Sequence, residues 1–179
     1  MPTYVAMLRG INVGGRNRIK MPVLEALFVD LGHTDVVTYI QSGNVVFKGR
    51  SKRAAAVARG IEEGIASELG LDVKVLLRSR DELAGVVAGN PFLRSGVDAA
   101  RLHVTFLNGT PEPALVQDLE AFDAGPDEIR VRGRDAYLRC PEGYGNTKLN
   151  NGFVEKRLHA TATTRNWNSV TKLLELATP

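Results

Sequence analysis

The spacing of apolar residues changes period repeatedly along this chain, and Gly, Pro and Ser mark most of the changes. The run "TYVAMLRG" (3–10) reads as a buried strand closed by Gly10. In "MPVLEALFVDLG", Val23, Leu24, Leu27, Phe28 and Leu31 recur at helical spacing up to Gly32, and Pro22 suits a first helical turn. "DVVTYIQSGNVVFKG" (35–49) holds two β-rich runs about Ser42-Gly43, a hairpin whose alternation turns Val45 and Phe47 inward. "SKRAAAVARGIEEGIASELG" (51–70) opens on a Ser cap and aligns Ala54, Val57, Ile61, Ile65 and Leu69 on one face. "LDVKVLLRS" (71–79) is a further strand. The order so far is β-α-β-β-α-β, the ferredoxin-like pattern.

A short helix in "DELAGVVAGNPFLRSG" (81–96), closed by Gly89 and Pro91, acts as a connector, after which the order repeats. "RLHVTFLNG" (101–109) reads as a strand, "PEPALVQDLEAF" (111–122) as a helix, and "DEIRVRGRDAYLRC" (127–140) as a hairpin about Gly133. "NNGFVEKRLHA" (150–160) is helical, "TATTRN" (161–166) a strand, and "NSVTKLLELA" (168–177) a closing helix. The expected fold is α+β: two ferredoxin-like βαββαβ units in tandem, with antiparallel sheets and helices packed on one face. Their expected bounds are 1–80 and 101–179, with residues 81–100 as connector.

Composition adds little to the fold and more to the function. At 179 residues, 44% hydrophobic and 24% charged, the chain can bury a core without staples. Its single cysteine, Cys140, forms no internal disulfide, which points to a reducing cytoplasm, and the N-terminus lacks a signal-peptide pattern. No apolar run approaches the length of a membrane helix, so no membrane partner is expected. Charge is uneven. Residues 1–61 hold nine Lys/Arg against Glu25, Asp30 and Asp35, while the remainder is net acidic. A basic half of this kind suits an anionic partner, although surface solubility accounts for it equally well.

Several chemistries are excluded by motif. "GINVGG" is not a P-loop, and no dinucleotide fingerprint follows a strand. His33, His103 and His159 stand too far apart for zinc-ligand spacing, and Ser42 in "IQSGN" is not a nucleophile elbow. Cys140 reads as a small apolar residue. The position matching an RNA-stacking strand reads "SGNVVFKG", with one phenylalanine, which supports base stacking weakly. No cofactor and no metal are implied, and no acid–base pair identifies a reaction or its catalytic residues.

What remains is "LRGINVGGRNRIK" (8–20), with three glycines, four cations (Arg9, Arg16, Arg18, Lys20) and no carboxylate. Glycines at positive φ can turn successive N–H groups inward as an anion nest, and the following helix would add its N-terminal dipole. Arg and Lys suit phosphate or carboxylate. Equally, Gly14-Gly15 can simply let the chain turn. Lys52 and Arg53, placed in the first turn of the 51–70 helix, oppose the macrodipole preference and point the same way. "QSGN", "YGNTKLNNG" and "TTRNWN" carry further polar groups, with helix capping the plain alternative for Asn150, Asn151 and Asn168. Arg165 beside the lone Trp167 could stack on a ligand, or the Trp could fill core.

Together, "YVAMLRGINVGGRNRIKMPVLEALF", "VVTYIQSGNVVF" and "ATTRNWNSVTKLLEL" resemble the bacterial domain-of-unknown-function family 1697, in the right order and over essentially the whole chain. The resemblance implies tandem ferredoxin-like units and no established activity. The expected function is binding of a small phosphorylated or otherwise anionic ligand. Arg9, Asn12, Gly14, Gly15 and Lys20 would form the cradle, with Ser42, Gly43 and Asn44 a neighbouring wall and Arg165 and Asn166 weaker additions. Lys20 and Lys148 are the plausible proton carriers if a reaction occurs. The alternatives are a nucleic-acid-binding module using the basic half, whose stripe would include Lys48, Arg50, Lys52, Arg53 and Arg59, and a ligand-free interaction adaptor.

Overall fold

Tyr4, Ala6 and Leu8 on β1 (Thr3–Leu8) point to one side of a sheet and meet Leu24, Leu27 and Phe28 of α1 (Met21–Asp30). In the computed structural model, which describes residues 1–94 and 96–179, the same core takes Val45 and Phe47 from β3 (Asn44–Lys48). It also takes Val57, Ile61 and Ile65 from α2 (Ala54–Leu69) and Val75 and Leu77 from β4 (Val75–Ser79). With β2 (Thr34–Tyr39), the sheet order is β2-β3-β1-β4, every neighbour antiparallel. A bulge between Thr34 and Val37 places Asp35 at φ 51°, where it pairs with Lys48 at 2.7 Å.

The second half repeats the plan. β5 (Leu102–Leu107), α4 (Pro113–Glu120), β6 (Glu128–Arg132), β7 (Asp135–Arg139), α5 (Asn151–Leu158) and β8 (Ala162–Asn166) give the sheet order β6-β7-β5-β8, again antiparallel throughout. Leu107, Ala136, Leu138 and Ala162 from the sheet pack with Leu119, Val154 and Leu158 from its helices. Gly133, at φ 61°, opens the two-residue β6–β7 turn, as a type II′ hairpin requires.

Each fourth strand runs straight into a further helix, α3 (Arg80–Ala88) after β4 and α6 (Trp167–Ala177) after β8. Ser79 and Glu82 cap α3 reciprocally, the hydroxyl accepting from Glu82 N and the carboxylate from Ser79 N. The full order is therefore β-α-β-β-α-β-α twice, an antiparallel tandem ferredoxin-like architecture. By compactness the chain divides into Met1–Gly85 with Lys172–Pro179, and Val86–Thr171. The sheet face away from α1 and α2 is also shielded, with Val5, Met7, Val46 and Leu76 buried.

Three local details depart from the sequence reading. Ser51 Oγ does accept a backbone hydrogen bond, from Arg53 N at 3.0 Å, but α2 begins only at Ala54. Lys52 and Arg53 therefore precede the first turn rather than occupying it. Asn166, rather than Asn168, caps α6 by accepting from Ser169 N at 2.8 Å. Asn150 caps α5 as expected, whereas Asn151 bridges to β8 through the Ala162 carbonyl and the Thr164 hydroxyl.

Candidate functional site

The basic glycine loop is a miniature hairpin. Val13 pairs with Arg16, and Asn12 N donates to the Asn17 carbonyl at 3.1 Å. Gly14 and Gly15, at φ 58° and 76°, form the two-residue tip that a type I′ turn demands. Asn12, itself left-handed at φ 54°, locks the base of the loop. Its Nδ2 donates to the carbonyls of Ile19 (3.0 Å) and Gln41 (2.7 Å), and its Oδ1 accepts from Ile19 N (2.9 Å). Asn17 adds a longer bond to the Gly10 carbonyl.

The β2–β3 loop, residues 40–43, stands against this base. Gly43 sits at φ 83°, and a Cβ there would lie 2.5 Å from Ile11 Cδ1, so a side chain would be strained and would force Ile11 to move. Asn44 is fully buried and donates to the Tyr39 carbonyl and to Ser42 Oγ, closing the loop from within. Arg9 continues from β1, its N–H bonded to the Lys74 carbonyl.

Between the mini-hairpin and the β2–β3 loop lies an open depression of about 500 Å³, lined by Asn12, Gly15, Arg18, Ile19, Lys20 and Gln41. Asn12, Gly15 and Lys20 of the sequence-derived set thus share one concavity. Arg9, Gly14, Ser42, Gly43 and Asn44 do not line it, and Ser42, Gly43 and Asn44 instead shape the loop that carries Gln41. Arg18 and Gln41 were the members missed. Arg18 belonged to the basic loop throughout, whereas only the fold brings Gln41 beside it. Both cations are exposed, and neither forms an ion pair with another described residue. Lys20 is also the N-cap position of α1, whose first turn holds no carboxylate. Two cations, one of them at the N-cap of α1, thus line a hollow that contains no acid.

Arg165 and Asn166 serve the second unit. Arg165 is buried on β8, its guanidinium donating to the Thr163 hydroxyl at 2.7 Å and the Thr164 carbonyl at 3.0 Å. Burial pulls it down to about 10. It has a counterpart that the sequence reading passed over: Arg78 stands opposite Val5 as Arg165 stands opposite Val104, and is likewise buried. The signal was positional, each arginine being the fourth residue of its unit's fourth strand. Trp167 is buried, as is Cys140, whose thiol burial raises to about 11. His33 packs against Phe28 and Phe47, and desolvation, reinforced by Arg50, holds its imidazole below the ordinary value. Among the described residues no three His, Cys, Asp or Glu side chains cluster as a metal would require, and no helix is long and apolar enough to cross a membrane.

Comparison with known proteins agrees with this architecture. No curated protein matches the chain. Among solved structures, the conserved bacterial protein SP0830 from Streptococcus pneumoniae superposes with a TM-score of 0.80 at 23% identity, covering 99% of each chain, a likeness of fold. The family model described as a protein of unknown function (DUF1697) matches residues 1–137, taking in the mini-hairpin and the β2–β3 loop and stopping short of the "TRNWN" segment. This chain belongs to the DUF1697 family.

Proposed function

We propose that the protein binds a small phosphorylated or otherwise anionic ligand in the depression beside the mini-hairpin. One observation carries the reading: Arg18 and Lys20 border a hollow of about 500 Å³ with no carboxylate in its lining. That size suits a small molecule. Arg18 offers planar paired donors and Lys20 a mobile ammonium, while Gln41 supplies a neutral polar group beside them. Asn12 and Gly15 shape the hollow rather than reach into it, since the Asn12 carboxamide is already committed to three hydrogen bonds. Ser42, Gly43 and Asn44 act one step further back, by fixing the loop that presents Gln41. The lining offers no carboxylate, histidine or thiol to act as a general base, so the reading is of binding, and no reaction is assigned.

A thermal-shift screen of the wild type and an Arg18→Ala, Lys20→Ala double variant tests this. The panel is inorganic phosphate, pyrophosphate, nucleotides, sugar phosphates, carboxylates and short single-stranded oligonucleotides, at low and moderate salt. A ligand at about 100 times its Kd stabilises by roughly 2.7 kcal/mol, an easily read shift. A salt-tolerant shift with one small anion, lost in the double variant, is the expected result. A response to oligonucleotides alone, abolished by moderate salt, would replace this reading with nucleic-acid binding. Silence across the panel would overturn both.

A further inference from the structure

The face of α1 turned away from the sheet is unusually apolar for a surface helix, with Val23 and Val29 42% and 54% exposed. Beside it, α1 and α2 enclose a groove of about 910 Å³ whose apolar lining includes Val23, Ala26 and Gly64. Its rim carries Asp30, Glu63 and Glu68 and no cation, and none of the three acids forms an ion pair with another described residue. Gly60, also in the lining, weakens α2 although a Cβ there would meet nothing within 4 Å. The fold itself does not require that space to be open.

The same unit presents the complementary shape. Val13, at the tip of the mini-hairpin, is 65% exposed, and Arg16 is its direct partner across the turn, so an apolar knob and a cation project together. We infer that the groove receives the Val13–Arg16 tip of a second copy of this chain. The tip and the groove lie close in sequence, five residues separating Arg16 from Pro22 of the lining. Two copies related by a two-fold axis near the start of α1 would engage both contacts reciprocally, giving a closed dimer. Charge complementarity selects this occupant, the Arg16 guanidinium meeting the Glu63 and Glu68 carboxylates. Gly15 of the tip also lines the proposed anion site, but Val13, Arg16, Glu63 and Glu68 do not, so substitutions at these four test the dimer contact separately from anion binding.

Sedimentation velocity of the full chain tests the inference. A contact at the small end of the interface range associates weakly, so dimer should build up between about 5 and 500 µM and recede with added salt. Arg16→Glu should abolish it by placing like charges together, and so should the Glu63→Lys, Glu68→Lys variant. Mixing these two variants restores opposite charges at both contacts, and a heterodimer should form from two monomers. The inference is overturned if the wild type stays monomeric throughout, which would leave a foreign basic segment as the groove's occupant. It is equally overturned if association occurs but ignores these substitutions, or if the mixture remains monomeric.

Discussion

Asn12 separates a clamp from a ligand group more sharply than any other residue near the hollow. Its carboxamide makes three hydrogen bonds, two of them to the backbone of Ile19, a residue only 3% exposed. A net hydrogen bond contributes about 0.5–1.5 kcal/mol, and leaving a buried backbone group unpaired costs about 1–3 kcal/mol. Discounting the exposed bond to Gln41, the loss in Asn12→Ala comes to about 2–4 kcal/mol. The left-handed backbone at φ 54° adds about 1 kcal/mol for alanine and nothing for glycine. Asn12→Ala should therefore destabilise by about 3–5 kcal/mol and Asn12→Gly by about 1 kcal/mol less. Urea unfolding measures the energies, and amide exchange at Ile19, whose N–H bonds to Asn12 Oδ1, reports the clamp directly. An Asn12→Ala variant within about 0.5 kcal/mol of wild type, with Ile19 still protected, would refute the clamp. Loss of pyrophosphate binding in that same stable variant would make Asn12 a ligand residue instead.

Other consequences are as specific. Gly43→Ala should cost about 2–4 kcal/mol, combining a positive-φ penalty with overpacking against buried Ile11, whereas Gly14→Ala, with open space around it, should cost only about 1 kcal/mol. Comparing the two denaturation midpoints checks the steric argument, and equal losses would refute it. Because His33 resists protonation when folded while the unfolded chain protonates near 6.5, its contribution is complete above that pH and lost as pH falls below it. His33→Phe, which keeps the contacts with Phe28 and Phe47, should flatten the decline in melting temperature between about pH 6.5 and 5, and an unchanged slope would assign that decline elsewhere. Cys140, buried and raised to about 11, should be inert to a thiol reagent at neutral pH until the protein is unfolded, and rapid labelling of the native chain would contradict its placement.

Element order was legible because most element boundaries are punctuated by a residue with a definite backbone preference, such as Gly32, Gly70 or Gly133. The start of α2 was less so. Ser51 forms the local bond that a cap would form, and a sequence cannot say whether the helix begins at once or three residues later. In "NWN", either asparagine could have capped α6. The glycine loop was ambiguous for a deeper reason: an anion nest and a type I′ turn both call for positive φ. In the structure the residues flanking the glycines in "NVGGRN" pair across them, so the turn is formed whatever the loop binds. Buried Arg78 and Arg165 defy the rule that charged residues stay in solvent, and only the repeated strand position marks them. The "QSGN" segment was a candidate from its polar groups, but only the tertiary structure singles out Gln41 within it, 29 residues from Asn12.

The most direct measurement is a nitrogen–proton NMR titration of the full chain with pyrophosphate, with backbone amides assigned through residues 9–20 and 40–44. Saturable shifts concentrated at Gly15, Arg18, Lys20 and Gln41, and absent from the Arg18→Ala, Lys20→Ala variant, are the expected result. Shifts scattered over the surface without saturation, or a spectrum that does not respond, would show that the basic hollow holds no anion and that the glycines serve only the turn.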